Sequence, residues 1–176
     1  MITRLNKTHC LLAAVLSLSL TACQESAEQT ADDVADASRE RAQAVADAQR
    51  DFSKAIAKSD AEMRDAAADG AHAIRETAID PDADAEQLAE VSDEAQQTLD
   101  QVSGEALARN AKAAFDLTVA EVEGNYRVAM ERCEGLYVAY QRERCESKAL
   151  MQRKQALARA KADLKIAQVE AEHLQG

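Results

Sequence analysis

One proline, Pro81, in a chain of 176 residues is the feature that most restricts the fold. Proline and glycine are the residues that most often stop helices and shape turns. Glycine is nearly as scarce, with five copies. From residue 24 onward, alanine supplies more than half of the hydrophobic residues, Trp is absent and aromatics are few. Alanine favours helix but buries little area. Such a chain builds long helices more readily than a thick core, and composition points to coiled-coil-like packing.

Hydrophobic spacing supports long helices. Val34, Val45, Phe52, Ile56, Met63 and Ile74 follow one another in steps of 11, 7, 4, 7 and 11. At about 100° per residue, all six fall in a stripe roughly 40° wide. A stripe that narrow suits a seam between helices, and steps of eleven favour a straight or slightly right-handed course. Gly70 weakens the pattern locally. Asp80-Pro81-Asp82 ends it, with Asp80 read as an N-cap and Pro81 as the first residue of the next helix.

A second helix is expected from Asp82. Leu88, Val91, Leu99 and Val102 begin its stripe, and Ser103-Gly104 is a place for it to fray or kink. Ala108, Ala111, Phe115, Val119, Val122, Tyr126, Met130, Cys133, Tyr137 and Tyr140 then recur every three or four residues. The last helix, from Cys145, carries Leu150, Leu157 and Leu164, with Ala160, Ala167 and Leu174 at complementary positions. Neither of these last two faces is comfortable in water, so they are expected to pair, within or between chains. The expected fold class is all-α, with long coiled-coil-like helices and a C-terminal antiparallel helical hairpin.

The first 23 residues carry an address. Arg4 and Lys7 precede the uncharged run Leu11–Leu20, followed by small residues and Cys23. This is the layout of a secretory signal, with an apolar run too short to span a bilayer. Leu20-Thr21-Ala22-Cys23 resembles the lipobox of bacterial lipoproteins. The resemblance implies cleavage before Cys23 and acylation of its sulfur and its new amino group. Several acyl chains anchor stably where one binds marginally. Gln24 is not the aspartate associated with inner-membrane retention, so the outer membrane, facing the periplasm, is the implied location. The implied segments are a signal peptide over 1–22 and a lipidated tether over 23–31. An acidic alanine-rich helix then covers 32–79, and a hairpin covers 82–176, with arms at about 82–134 and 145–174.

Cys10 leaves with the signal, so Cys133 and Cys145 are the remaining thiols, in a compartment where disulfides persist. On one continuous helix they lie about 18 Å apart. A disulfide needs Cα atoms within about 7 Å, so an internal bond demands a turn near Ala139. Gly135 offers a helix stop. Yet the stripe through Tyr126, Met130, Cys133, Tyr137 and Tyr140 keeps its phase across that turn. A parallel dimer clasped through Cys133 therefore stands beside the hairpin. The segment is similar to a pattern in uncharacterised exported proteobacterial proteins: C-x-x-L, a short turn with glycine, R-x-x-C, then an Ala/Lys-rich helix. Cys133, Leu136, Arg142 and Cys145 match it. The resemblance implies a disulfide between Cys133 and Cys145 that ties a helical hairpin, and no activity.

Charge narrows the partners. Residues 24–103 hold 21 acidic and 7 basic side chains, and residues 104–176 hold 11 and 12. The acidic half argues against nucleic acid, which needs a basic footprint. His72 and His173 stand alone on polar positions, and two cysteines without nearby histidines make a poor zinc site. No phosphate loop, G-x-S-x-G or H-E-x-x-H is present. The expectation is a non-enzymatic envelope lipoprotein of structural or interaction type, with no cofactor, no metal and no small-molecule substrate. Its first helix is expected to serve as a spacer, and its Tyr-rich hairpin tip to bind a protein partner or a second copy. The alternative is a stress-protective, conditionally disordered protein, because residues 25–80 resemble late-embryogenesis-abundant repeats in composition and eleven-residue stepping.

Overall fold

The structure is a computed structural model that describes residues 26–176. Residues 1–25, which include the expected signal peptide and Cys23, lie outside the described residues. Three helices follow in order: α1 over Ala27–Ile79, α2 over Ala85–Glu134 and α3 over Ala139–Leu174. At 1.5 Å per residue they are about 80, 75 and 54 Å long. The described residues contain no strand, and none of their helices is long and apolar enough to cross a membrane.

Local chemistry sets the ends. Ser26 caps α1, its Oγ accepting a hydrogen bond from the Gln29 N–H at 3.1 Å. Asp80 closes α1 in an extended conformation, with its own N–H donating to the Thr77 carbonyl. Its carboxylate accepts from the Asp82 N–H at 3.0 Å. The N-cap of α2 is Asp84, not Asp80 as the sequence suggested. Asp84 Oδ1 accepts from the Glu86 and Gln87 N–H groups, and Gln87 Oε1 accepts from the Asp84 N–H. This reciprocal capping box satisfies donors that a helix start leaves orphaned. Pro81 sits in the turn instead, because reversing the chain between antiparallel helices takes several non-helical residues.

The expected spacer is not a separate rod. α1 turns back and packs along α2 through most of its length, α3 packs on the C-terminal part of α2, and α1 and α3 do not pack on each other. Close approaches give the register. Thr30 meets Gly135, Arg41 meets Gly124, and Gly70 meets Ala95. Ser59 bonds Asn110, and on the other side Glu123 pairs with Arg153. α2 is thus the shared middle helix of an up-down-up arrangement. The hairpin over 85–174 is present as expected, with α1 as a third helix laid beside it.

Small residues line the seams. Several buried positions recur at multiples of eleven: Ala37 and Ser59 on α1, Ala106 and Val128 on α2, and Ala149, Ala160 and Ala171 on α3, with Gly104, Gly124 and Cys133 of α2 buried outside that repeat. Eleven residues make three turns at 3.67 per turn, close to the natural 3.6, so the helices stay paired with little supercoiling. Val34, Val45, Phe52, Ile56, Met63 and Ile74 are all half-buried along the α1 seam. Gly70 and Gly104 do not break their helices. A Cβ on Gly104 would lie 2.7 Å from the Ala171 carbonyl oxygen, so this glycine permits contact where a side chain would block it. Gly104→Val is therefore expected to push the last turns of α3 off α2. Amide exchange should accelerate over residues 165–174 and stay unchanged across the α1–α2 seam.

Candidate functional site

The feature with most chemistry is the turn joining α2 to α3. α2 ends at Glu134, and Gly135 is its C-cap with φ −68° and ψ −2°. The Gly135 N–H still donates to the Glu131 carbonyl, and the Leu136 N–H donates to Cys133. α3 then starts at Ala139 rather than near Cys145, capped by Val138 with no side-chain hydrogen bond. The turn therefore lies at residues 135–138, before Ala139. This breaks the phase of the stripe that ran on to Tyr140. Tyr137 and Tyr140 leave the seam and are 66% and 67% exposed.

Moving the turn brings the cysteines together. Cys133 and Cys145 are joined within the chain, with Cα atoms 5.6 Å apart, and Cys133 is fully buried. Arg142 also has a visible task. Its guanidinium donates from Nε at 3.3 Å and from Nη2 at 3.0 Å to the Leu136 carbonyl. The four-residue turn is thus closed twice, by the Cys133–Cys145 disulfide and by the double donation of Arg142 to the Leu136 carbonyl. Leu136 and Arg142, singled out in the sequence through the C-x-x-L and R-x-x-C pattern, are the two ends of that second closure.

Sequence reasoning missed what lies beside the turn. Thr30, in the first turn of α1, packs on Gly135, where a Cβ would come within 2.5 Å of Thr30 Cγ2. The Thr30 hydroxyl is buried with no hydrogen-bond partner among the described residues. The only signal for this contact was the glycine itself, read as a helix stop when its missing side chain serves a close approach. The same end gathers carboxylates. Burial pushes the Glu131 carboxyl above its ordinary range, helped by Glu134, Asp33 and Glu40 nearby. Arg127 of α2 bonds Glu40 of α1 across this seam.

Farther along the hairpin, Arg153 forms a two-pronged pair with Glu123 at 2.8 and 2.7 Å and lies over the Tyr126 ring, 5.1 Å from its centroid. The hydrogen bonds from Arg153 hold the Glu123 carboxyl below its usual range, against the upward push of desolvation. The two glutamates act in opposite directions. Glu123 stabilises the fold above its ordinary pKa, and that contribution fades as pH falls through its lowered value. Protonated Glu131 favours the fold below its ordinary pKa, and that advantage is lost as pH rises through its raised value. Thermal melts should accordingly show Glu123→Gln lowering Tm at pH 7 and Glu131→Gln raising it. Both differences should shrink toward pH 3.

The clefts between helices are shallow. One, between α2 and α3, is lined by Ala111, Phe115, Thr118, Ala160, Leu164 and Ala167. Among the described residues, no group of three or more His, Cys, Asp or Glu side chains converges as a metal site. His72 lies exposed, 3.4 Å from Glu76 one turn on.

Comparison with protein-family models, curated proteins and solved structures finds no match. The site is a doubly closed turn carrying exposed aromatic residues beside the start of α1.

Proposed function

We propose that the chain is a lipid-anchored envelope lipoprotein of structural and interaction type, acylated at Cys23 and without catalytic activity. The observation that carries the reading is the short distance between lipobox and fold. Leu20-Thr21-Ala22-Cys23 ends three residues before Ser26, the N-cap of α1. Three residues reach at most about 10 Å. An anchor at Cys23 holds the helices close to the membrane surface, with the acidic turn Asp80–Asp84 about 75 Å away along the rod. The implied setting is the outer membrane facing the periplasm. Exposed Met151, Ile166 and Val169 on α3 offer a surface for a protein partner or a second copy.

The test is direct. Protein extracted from bacterial membranes should yield an N-terminal peptide that begins at Cys23 and carries the mass of attached acyl chains. Cys23→Ser should appear in the aqueous fraction. An unmodified Cys23, or a Cys23→Ser protein that stays bound to membrane as firmly as the parent, would sink the anchor reading.

A further inference from the structure

We propose that the α2–α3 turn is a second membrane contact: an aromatic foot resting in the headgroup region of the bilayer that holds the anchor. The inference rests on the lipid-anchored reading of Cys23 and adds a binding surface to it.

Position comes first. Thr30 packs on Gly135, and Ser26 lies one helical turn before Thr30, toward the same end. The start of α1 and the turn at 135–138 therefore share one end of the rod. Acyl chains on Cys23, at most about 10 Å from Ser26, bring that turn to the membrane surface. The antiparallel return of α1 along α2 makes this so. With α1 as a separate spacer, the turn would have stood far from the bilayer.

The two ends of the rod differ in chemistry. The anchor end exposes Tyr137 at 66%, Val138 at 51% and Tyr140 at 67%. The far end is a turn built on Asp80, Pro81, Asp82 and Asp84, with Ile79 as its exposed apolar side chain. A tyrosine ring is apolar and its hydroxyl is polar, which suits the boundary between acyl chains and headgroups.

Two further features favour contact. The Leu136 carbonyl already accepts two hydrogen bonds from Arg142, which reduces the backbone polarity that a low-dielectric layer would leave unsatisfied. The exposed charges flanking the turn, Arg132 and Arg144 against Glu134 and Glu143, balance in sign, while exposed Glu28 and Asp32 at the start of α1 leave this end of the rod net acidic. The turn itself is therefore not repelled by anionic lipids, and the repulsion at this end comes from the start of α1, where the anchor opposes it. A weak intrinsic affinity is enough, because the anchor holds the turn beside the bilayer at high effective concentration. Two contact points at one end fix the rod's orientation, with Asp80–Asp84 pointing away.

The absence of tryptophan makes a clean test. Tyr137→Trp places a single reporter in the foot, and Ile79→Trp places one at the far end. The full-length protein, processed in bacteria and purified in detergent, is reconstituted into phosphatidylethanolamine–phosphatidylglycerol vesicles with and without spin-labelled lipid. The mass of its N-terminal peptide records acylation. Emission from Tyr137→Trp should shift to shorter wavelength and be quenched by the labelled lipid, and emission from Ile79→Trp should do neither. Acylated protein with an unshifted, unquenched Tyr137→Trp signal overturns the foot and leaves the anchor standing. Equal quenching of both reporters overturns it too, since the rod would then lie flat. Unacylated protein removes the anchor reading. Adding that protein to the same vesicles decides the foot separately: quenching of Tyr137→Trp retains it, and no quenching removes it.

Discussion

Reducing the Cys133–Cys145 bond is expected to lower stability by about 3 kcal/mol, the chain-entropy value for a loop of this size. The two cysteines are 12 residues apart and close a single turn between α2 and α3. α3 packs only on α2 among the described helices, so its attachment depends on that turn and on one alanine-lined seam. Alanine seams bury little area per residue, and the constraint therefore matters more here than in a thick core. The urea midpoint should fall on reduction, and α3 should become the first segment cut by protease while α1–α2 persists. Cys133→Ala combined with Cys145→Ala should behave like the reduced protein, with a small extra cost for the space vacated at the fully buried Cys133. Superimposable urea curves for oxidised and reduced protein would show that the bond contributes nothing.

The second large effect is expected at Ser59. This side chain is fully buried in the middle of the α1–α2 seam. Its hydroxyl donates to Asn110 Oδ1 at 2.9 Å and accepts from Arg109 Nη1 at 3.2 Å, and the same guanidinium pairs with Glu62 at 2.5 Å. A polar layer inside an otherwise small apolar seam favours one register, as a buried asparagine does in coiled coils. Ser59→Leu inserts volume at a fully buried position of the seam and removes the partner of Asn110. Overpacking and an orphaned polar group together are expected to cost about 3 kcal/mol. Ser59→Ala, which adds no volume, should cost nearer 1 kcal/mol. Equal melting temperatures for Ser59→Leu and the parent protein would show that the seam is loose at this point.

Much of the architecture was legible because it rests on local rules. The eleven- and seven-residue steps from Val34 to Ile74 marked the buried face of α1. Leu150, Leu157 and Leu164 marked the face of α3. Asp80 and Pro81 marked the end of α1. Errors arose where two local signals competed. Asp80-Pro81 looked like a helix start, yet Asp84 with Gln87 forms the fuller cap, and the intervening residues were needed to reverse the chain. Ser26 likewise starts α1 earlier than the expected residue 32. Tyr137 and Tyr140 kept the α2 phase by coincidence of spacing, which hid the turn at 135–138. Gly70 and Gly104 read as weak points, but their missing side chains allow neighbouring helices to come close.

The sequence by itself determined that this chain is helical, which faces are apolar and where α1 stops, because propensity, periodicity and capping act over a few residues. Cys133, Leu136, Arg142 and Cys145 stood out as a set only through the resemblance to a pattern in exported proteins. Only the tertiary structure decided that α1 returns along α2 and that the turn closes within one chain. It alone placed Thr30 against Gly135, at the end where α1 begins. A stripe specifies that a face must be covered without specifying which helix covers it or in which direction. That choice depends on the summed packing of whole helices, and no short stretch of sequence contains it.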